Sequence, residues 1–408
     1  MGDADSALED LLAGASAAAR AGDWAQAAEH YAHAASAAPA RTDLHFNLGD
    51  ARERAGDAAG AAQAYLDACR LSPREARLAL FAGVALAQAG REEDAAVMCS
   101  LADGLDPALL PSHARPGLHP ELRRRVTIAN GLLRRRFAAL HAQAVEERDG
   151  DDRDLSRISR AIWVQTHPEP VVFRTPLQKP GIFYVPDLPA TAVTPAATLP
   201  WASAIEACTA DIRAEYLSAV AAGARLDPYV EADVRNPLWG ALRGKHDWSA
   251  LHLFKSAEEQ PIARLFPRTL AAIARADVFR VGHDRPMEVF FSRLAPGTHI
   301  PPHHGVANHR ITVHLPLIVP EGSAIRVGSH THVWEEGQLF AFDDSFEHEA
   351  WNRGARERVV LIFESFHPDL SPAERRAIER SYTLRGRWLA DRRIPQSPSS
   401  ACHSASTG

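Results

Sequence analysis

The spacing of apolar and polar residues divides the chain into regions of different secondary structure. Residues 1 to about 112 are rich in alanine and carry the periodicity of amphipathic helices. A long helix is predicted for residues 113–147, and the acidic stretch 146–152 reads as a loop. Residues 165–200 contain eight prolines, which predicts extended irregular chain, and helical spacing returns for residues 201–222. From Glu288 onward, short β-branched and aromatic runs between turn residues predict an antiparallel sandwich or barrel.

A repeat of 34 residues organises the N-terminal region. Glycine can adopt the positive φ of a tight turn between helices, and proline stops the helix that follows, so both mark the limits of a helical hairpin. This period and punctuation resemble the tetratricopeptide repeat. Three glycines and three prolines recur at this spacing: Gly22, Gly56, Gly90, Pro39, Pro73 and Pro107.

The resemblance implies a stacked helical array, and two functions are possible for such an array. A concave surface of such an array can bind a peptide or a partner protein. The same array can instead serve as a dimerisation or packing module. We therefore expect a protein partner at the repeats, with packing as the alternative.

Composition narrows the class of protein. The formal net charge is −6 and 46% of residues are hydrophobic, as in soluble globular proteins, so neither nucleic acid nor a membrane surface is an expected partner. No apolar run reaches the length of a membrane span, and the acidic N-terminus lacks the features of a signal peptide. Four scattered cysteines favour a reducing cytoplasm and leave histidine and carboxylate as the metal ligands to expect.

Two histidines in the predicted β region are candidates for a metal site. His303 follows a Pro-Gly turn and a strand, and His348 follows about 45 residues later, so the two can meet across a jelly roll. Imidazole suits Fe(II), and a two-histidine site leaves positions open for a chelating cosubstrate and O₂. Either histidine alone would more simply be a core or surface residue.

The surrounding sequence, from Phe290 to about Ile378, resembles the aspartyl/asparaginyl β-hydroxylase family. The resemblance implies a double-stranded β-helix (jelly roll), Fe(II), the cosubstrate 2-oxoglutarate, and O₂. It also implies hydroxylation of a C–H bond, with the β-carbon of Asp or Asn in a peptide or protein as the expected position. A related branch acts on lipid acyl chains. The matching motifs are residues 296–299, 302–305, 334–337, 342–351 and 367–370.

The resemblance places the metal, and with it catalysis, on His303 and His348. The usual third ligand would be a carboxylate two residues after the first histidine, where this chain has Gly305; the family shares this absence, and water fills the position. Asp343 and Asp344 could substitute, but their place before His348 indicates loop hydrogen bonding instead.

The same resemblance implies which residues bind the cosubstrate 2-oxoglutarate. The guanidinium of Arg358, on an apolar strand, matches the C5 carboxylate of 2-oxoglutarate, because a buried cation needs an anionic partner. Ser292 matches the partner hydroxyl for that carboxylate, and His314 matches the contact to the C1 carboxylate.

The C1 contact is otherwise open. Thr312 stands where the family often has a second arginine, so Arg310 or Arg326 is the expected replacement, with a structural salt bridge as the alternative for both. Candidates for the substrate side of the pocket are Trp248, His252 and Phe254, with the core as the alternative for Trp248.

The predicted protein is thus multidomain: an all-α tetratricopeptide array followed by a jelly roll with flanking helices. The predicted limits are 1–112 for the array, 113–180 for a connector, 181–385 for the β domain and 386–408 for a disordered tail. The predicted function is an Fe(II)/2-oxoglutarate-dependent dioxygenase. The alternatives are a halogenase, which the absent carboxylate would accommodate, a helical-repeat adaptor whose β domain is non-catalytic, and a cupin-like binding domain.

Overall fold

The computed structural model describes residues 2–111, 117–147, 154–167, 171–234, 236–282 and 285–396. The chain divides into two compact units. One comprises Met1–Ala139, Gln165–Pro170 and Arg385–Gly408, and the other comprises Leu140–Val164 and Val171–Leu384. Of the acidic stretch 146–152 that was predicted as a loop, residues 148–152 lie outside the described residues, as does the tail after residue 396. The predicted domain limits stay predictions.

Six helices in three consecutive pairs form the N-terminal part of the first unit and confirm the tetratricopeptide-type repeat. Each repeated glycine ends the first helix of a pair in the left-handed region, with φ of 78° at Gly22, 84° at Gly56 and 76° at Gly90. The second helix of a pair begins at an aspartate cap where one is present, as at Asp57, whose Oδ1 accepts the Gly60 N–H at 2.8 Å. The helices are α1 (Gly2–Ala21), α2 (Trp24–Ala37), α3 (Thr42–Arg54), α4 (Ala58–Leu71), α5 (Ala76–Gln88) and α6 (Glu92–Leu105).

Small residues let these helices approach closely. Gly83 on α5 faces α6, where a Cβ at residue 83 would lie 2.6 Å from Cys99 Sγ. Aromatic rings fill the wider gaps, as where Tyr65 meets Phe81 with ring centroids 5.6 Å apart. The helical array is therefore held by close backbone contact as well as by apolar burial.

Two further long helices come after the array in the sequence. The first, α7, covers Pro120–Glu146, inside the helix predicted for 113–147. The second, α12, covers Pro372–Ala390 and so extends past the predicted start of the tail at residue 386. None of the described helices has a stretch both long and apolar enough to cross a bilayer.

Two antiparallel sheets make up the β domain and confirm the jelly-roll prediction. The larger has eight strands in the order β3-β14-β11-β16-β9-β5-β4, with β6 beside β5, and the smaller has the order β10-β15-β12-β13. Except for the consecutive pairs β4-β5, β5-β6 and β12-β13, neighbours in the sheets are not consecutive in sequence, as in a jelly roll. The described strands do not close into a barrel. Strand bounds for the larger sheet are β3 (Val193–Thr194), β4 (Asp227–Pro228), β5 (Trp248–Lys255), β6 (Glu258–Glu259), β9 (Val289–Leu294), β11 (Arg310–Ile318), β14 (Phe340–Phe342) and β16 (Arg358–Phe366).

The smaller sheet and two short ribbons complete the strands. The ribbons pair β1 with β2 and β7 with β8. Their bounds, with those of the smaller sheet, are β1 (Ile162–Trp163), β2 (Phe183–Tyr184), β7 (Arg280–Val281), β8 (Arg285–Pro286), β10 (His299–His303), β12 (Ser323–Val327), β13 (His330–Val333) and β15 (His348–Asn352).

Strand alternation gives the larger sheet two different faces. Leu361 and Phe363 of β16 pack in one core cluster with Ile212 and Phe266, whereas Arg358, Ile362 and Glu364 face a cavity. The flanking helices are α8 (Ser156–Ser159), α9 (Ala202–Glu206), α10 (Thr209–Ala221) and α11 (Pro267–Ile273). The helix-packed face thus supports the sheet, and the other face is left to carry a site.

The close approach at Gly83 predicts a specific destabilisation. In Gly83→Val the new side chain overlaps Cys99, so we expect the free energy of unfolding of the helical array to fall by about 2 kcal/mol. The matched control is Gly131→Ala on α7, where the nearest atom to a new Cβ is the flexible end of Arg135 at 3.8 Å. This control should gain roughly 0.5–1 kcal/mol from helix propensity.

Chemical denaturation of the full chain, followed by circular dichroism at the helix band, measures both variants. Equal midpoints for Gly83→Val and the unsubstituted protein would contradict the proposed helix contact.

Candidate active site

The two predicted metal histidines are cross-strand neighbours. His303 ends β10 and His348 begins β15, and the two residues face each other directly in the antiparallel register. Their ring centroids lie 4.0 Å apart with the planes inclined at 53°. A register shift between Ile300 and His303 precedes the pair, as expected where a strand re-aims a side chain. The structure therefore brings both imidazoles to one point.

The two imidazoles share the same type of hydrogen bond and the same protonation state. Nδ1 of His303 lies 2.8 Å from the Pro301 carbonyl oxygen, and Nδ1 of His348 lies 3.0 Å from that of Phe346. A carbonyl oxygen only accepts, so Nδ1 carries the proton in each ring and Nε2 keeps its lone pair for a metal. Burial lowers the pKa of each ring to about 4, which keeps both neutral at pH 7. These residues fit a ferrous ion.

The third carboxylate of a facial triad is not present. Among the described residues, no group of three or more His, Cys, Asp or Glu side chains is arranged to hold a metal. A Cβ at Gly305 would overlap the carboxylate of Asp344, and the Gly305 N–H donates to the Asp344 carbonyl oxygen at 2.6 Å. The missing side chain at residue 305 thus makes room for Asp344 beside the histidines.

The two aspartates before His348 have different surroundings. Asp343 accepts hydrogen bonds from Gln178 Nε2 at 2.7 Å and from the Ser345 N–H at 2.9 Å, which is loop hydrogen bonding. Asp344 instead faces the cavity beside Thr312, whose hydroxyl hydrogen-bonds it, and its Oδ1 is buried without a hydrogen-bond partner. Loop hydrogen bonding therefore describes Asp343 but not Asp344.

Arg358 is a buried cation without an anionic partner. It is 1% exposed, and in the described part of the chain no carboxylate pairs with it. Its Nη1 lies 3.4 Å from both the carbonyl oxygen and the Oγ of Ser292, its Nε has no hydrogen-bond partner, and its guanidinium lies 4.8 Å from the Trp334 ring centroid. Burial lowers its pKa to about 9, still above neutrality. An isolated guanidinium of this kind is suited to receive a carboxylate.

His314 shares the cavity with Arg358. Burial and the neighbouring guanidinium hold the pKa of His314 well below its usual value, and its Nδ1 lacks a hydrogen-bond partner. Ser292 also accepts the Trp248 indole N–H at 3.1 Å, which fixes its hydroxyl next to Arg358. The predicted cosubstrate residues Ser292, His314 and Arg358 are therefore all at one end of the cavity.

The two arginines proposed for the C1 carboxylate have different positions. Arg310 lines the cavity, and its Nη1 lies 3.1 Å from Glu364 Oε2. Arg326 does not reach the cavity, because β12 alternation turns Ile325 inward and Arg326 outward, where it pairs with Glu349 and Glu347. Both arginines thus form the salt bridges given as the alternative, but only Arg310 also lines the cavity, so Arg326 is not part of the site.

The three residues of β5 that were candidates for the substrate side of the pocket lie in different environments. Trp248 lines the cavity and stacks on Tyr229 with ring centroids 4.0 Å apart. His252 stacks on Phe290, outside the cavity lining. Phe254 lies in the core, because a register shift after His252 turns it to the helix-packed face. The assignment of His252 and Phe254 to the pocket was therefore wrong.

Several residues that line the cavity were not predicted from the sequence. The cavity has a volume of about 390 Å³, and its lining includes Tyr229, Trp239, Glu288 and Glu364. The ring of Trp239 meets that of His303 edge-on at 5.0 Å. An available signal was the alternation on β16, which puts Glu364 on the same face as Arg358.

The domain thus combines a jelly roll with a site of two imidazoles and a buried guanidinium that has no carboxylate partner among the described residues. Residues 206–368 match the family model described as Aspartyl/Asparaginyl beta-hydroxylase.

Two curated relatives illustrate the match. The chain is 37% identical over 139 residues to the aspartyl/asparaginyl beta-hydroxylase of Mus musculus, covering 34% of this chain and 18% of that protein. It is 35% identical over 184 residues to the ornithine lipid ester-linked acyl 2-hydroxylase of Rhizobium tropici, covering 43% of this chain and 61% of that protein. In both, the chain spans less than two thirds of the relative's length.

A solved structure of an oxidoreductase of the 2OG-Fe(II) oxygenase family from Burkholderia pseudomallei also aligns. It shares 15% identity, with a TM-score of 0.26, over 39% of this chain and 91% of that chain. The jelly-roll assignment comes from the strand order and not from this similarity.

The isolated charge of Arg358 predicts that its removal stabilises the apoprotein. In Arg358→Met a buried, unpaired cation is replaced by an apolar side chain of similar length, so the free energy of unfolding should rise by about 1 kcal/mol or more. The matched control is Arg326→Met, which loses a partly exposed ion pair and should cost at most about 1 kcal/mol.

Thermal unfolding in the presence of Mn(II), with and without 2-oxoglutarate, tests the assigned role of Arg358. Addition of 2-oxoglutarate should raise the midpoint of the unsubstituted protein and of Arg326→Met, and should leave that of Arg358→Met nearly unchanged. A large shift of the Arg358→Met midpoint on addition of 2-oxoglutarate would contradict the assigned carboxylate site.

Proposed function

We propose that the protein is an Fe(II)- and 2-oxoglutarate-dependent dioxygenase that hydroxylates a C–H bond. The observation that supports this best is the position of two neutral imidazoles and an unpaired buried guanidinium in one cavity. The family model that residues 206–368 match supports the same proposal. His303 and His348 would hold the metal through Nε2, and Arg358 with Ser292 would hold the C5 carboxylate of the cosubstrate.

The bound metal and cosubstrate would supply the activation of O₂, with 2-oxoglutarate and O₂ converted to succinate and CO₂ as one oxygen atom enters the substrate C–H bond. The residues of this chain supply binding and orientation. Backbone carbonyls fix the tautomer of both histidines, and the Trp248 indole fixes the Ser292 hydroxyl. The apolar walls formed by Phe290, Ile362 and their neighbours keep water away from the reacting atoms.

The C1 carboxylate has two candidate partners in this cavity. His314 lies on the Arg358 side, and its Nδ1 is without a hydrogen-bond partner. Arg310 is already paired with Glu364, so His314 is the better candidate. Thr312 is occupied by its hydrogen bond to Asp344.

The finer parts of the proposal come from the resemblance. They are a peptide or protein substrate, the β-carbon of Asp or Asn as the position of hydroxylation, and a protein partner at the helical repeats. Cytoplasmic localisation remains a prediction from the scattered cysteines.

The surroundings of Gly305 oppose a halogenase. In a halogenase the absent carboxylate leaves a space for chloride. Here the Asp344 carboxylate occupies the space next to Gly305, and a second anion there would be repelled. A non-catalytic adaptor is opposed by the cost of keeping Arg358 buried without a partner.

Substitution of the histidines tests the proposal. With Fe(II), O₂ and 2-oxoglutarate, the purified full chain should release succinate, and His303→Ala or His348→Ala should lower the rate at least about a hundredfold because the metal loses a ligand. The matched control is His332→Ala, a histidine of the smaller sheet outside the cavity lining, which should retain the rate. Succinate release should not depend on chloride.

Mass spectrometry of the proteome then searches for products heavier by one oxygen atom that disappear in the His348→Ala strain. An unsubstituted protein that binds neither Fe(II) nor 2-oxoglutarate and releases no succinate would refute the proposal.

A further inference from the structure

One short segment, residues 178–183, hydrogen-bonds to both loops that adjoin the metal histidines, and we call it the bridging segment. Its first residues contact the loop before His348, and its last residues contact the loop after His303. The backbone donors and the carbonyl oxygens that accept from them are Lys179 to Ser345 at 2.8 Å, Gly181 to Gly305 at 3.2 Å, Ile182 to Val306 at 2.8 Å and Phe183 to Val306 at 3.0 Å. The two loops are therefore held by a third stretch of chain as well as by the pairing of β10 with β15.

The side chain of Gln178 attaches the bridging segment to the loop before His348. It is 1% exposed, and its Nε2 donates to Asp343 Oδ2 at 2.7 Å and to Ser345 Oγ at 3.2 Å. Asp343 is also 1% exposed, and its other oxygen accepts the Ser345 N–H at 2.9 Å. Burial raises the pKa of Asp343 to about 7, and the hydrogen bonds from Ser345 and Gln178 act in the opposite direction. A buried network of this kind holds the loop in one conformation.

The loop that Gln178 contacts also orients His348. The Phe346 carbonyl oxygen lies 3.0 Å from His348 Nδ1 and accepts its proton. Gln178 forms a β-bridge with Phe346, and the Phe346 N–H donates to the Asp343 carbonyl oxygen at 3.2 Å. A change at Gln178 therefore reaches His348 through the backbone of Phe346.

The metal has few protein ligands, so the position of each one matters more for its affinity. Among the described residues, no third His, Cys, Asp or Glu side chain is arranged with the two histidines to compensate for a displaced ring. Residues that orient a metal-binding histidine before the metal arrives strengthen binding, because the ring then has little freedom left to lose.

We propose that Gln178 is a positioning residue for the metal site, which holds the His348 ring in place through its contact with Asp343. This inference rests on the proposed function, because it concerns the metal site of the same hydroxylase. Gln178 does not touch the metal or the cosubstrate, and its effect passes through the loop before His348.

Gln178→Met tests the inference, because it keeps the length of the side chain and removes both hydrogen bonds. At pH 8, with 2-oxoglutarate present, the Kd of the full chain for Mn(II) should rise about tenfold or more. The electron paramagnetic resonance signal of free Mn(II) measures this Kd. The matched control is Thr269→Val, which removes a buried hydrogen bond to Glu215 at 2.7 Å on helix α11 and should leave the Kd unchanged. An unchanged Kd in Gln178→Met would overturn the inference.

A measurement on the apoprotein separates positioning of the ring from general loss of stability. The ¹⁵N chemical shifts of the His348 ring report which nitrogen carries the proton, and the unsubstituted chain should show the Nδ1–H form. Gln178→Met should show a mixture of the two tautomers at His348, and Thr269→Val should not. The Nδ1–H form alone in Gln178→Met would count against the proposed role.

A reversed pair of substitutions locates the effect at the contact itself. An amide at residue 343 cannot accept from both Gln178 and the Ser345 N–H, so Asp343→Asn should weaken Mn(II) binding as Gln178→Met does. In Gln178→Glu/Asp343→Asn the donor and the acceptor exchange places, and the Kd should return to within about threefold of the unsubstituted value. A double variant as weak as Asp343→Asn alone would contradict the assignment to this contact.

These measurements also separate the inference from the proposed function. If the unsubstituted protein binds Mn(II) and 2-oxoglutarate and Gln178→Met binds them equally well, the positioning role alone is wrong. If the unsubstituted protein binds no Mn(II), the hydroxylase proposal is wrong, and the tautomer of His348 in the apoprotein still decides whether Gln178 orients that ring.

Discussion

The antiparallel pairing of β10 with β15 is the constraint on which the site depends. It sets His303 directly opposite His348, and backbone carbonyls two residues before each histidine then fix both rings with Nε2 available. Because these contacts are to the main chain, the geometry follows from strand register. The larger sheet contributes a second group on the facing wall, where β16 brings Arg358 beside Ser292 of β9.

The energy of the cavity is governed by a charge that the chain alone does not balance. The buried guanidinium of Arg358 has no carboxylate partner among the described residues. Folding the protein with this unpaired cation costs stability, and a bound anionic ligand would offset that cost. A dianionic cosubstrate would supply the missing negative charge.

Local sequence signals predicted much of this structure, and long-range register decided the rest. The 34-residue repeat was readable because Gly22, Gly56 and Gly90 act within their own turns. The pairing of His303 and His348 and the isolation of Arg358 followed from the resemblance. By contrast, the outward turn of Arg326 and the core position of Phe254 depend on strand faces and on one register shift. Glu288 and Tyr229 come from separate parts of the chain and meet only in the folded cavity, so neither motif nor period marked them.

The most direct test of the central claim is a crystal structure of the full chain soaked under anaerobic conditions with Fe(II) and 2-oxoglutarate. The account predicts one iron bonded to Nε2 of both His303 and His348, with the distant carboxylate of the keto acid on the guanidinium of Arg358. Iron bound elsewhere, or a keto acid whose distant carboxylate lies on Arg310 while Arg358 stays unpaired, would contradict it.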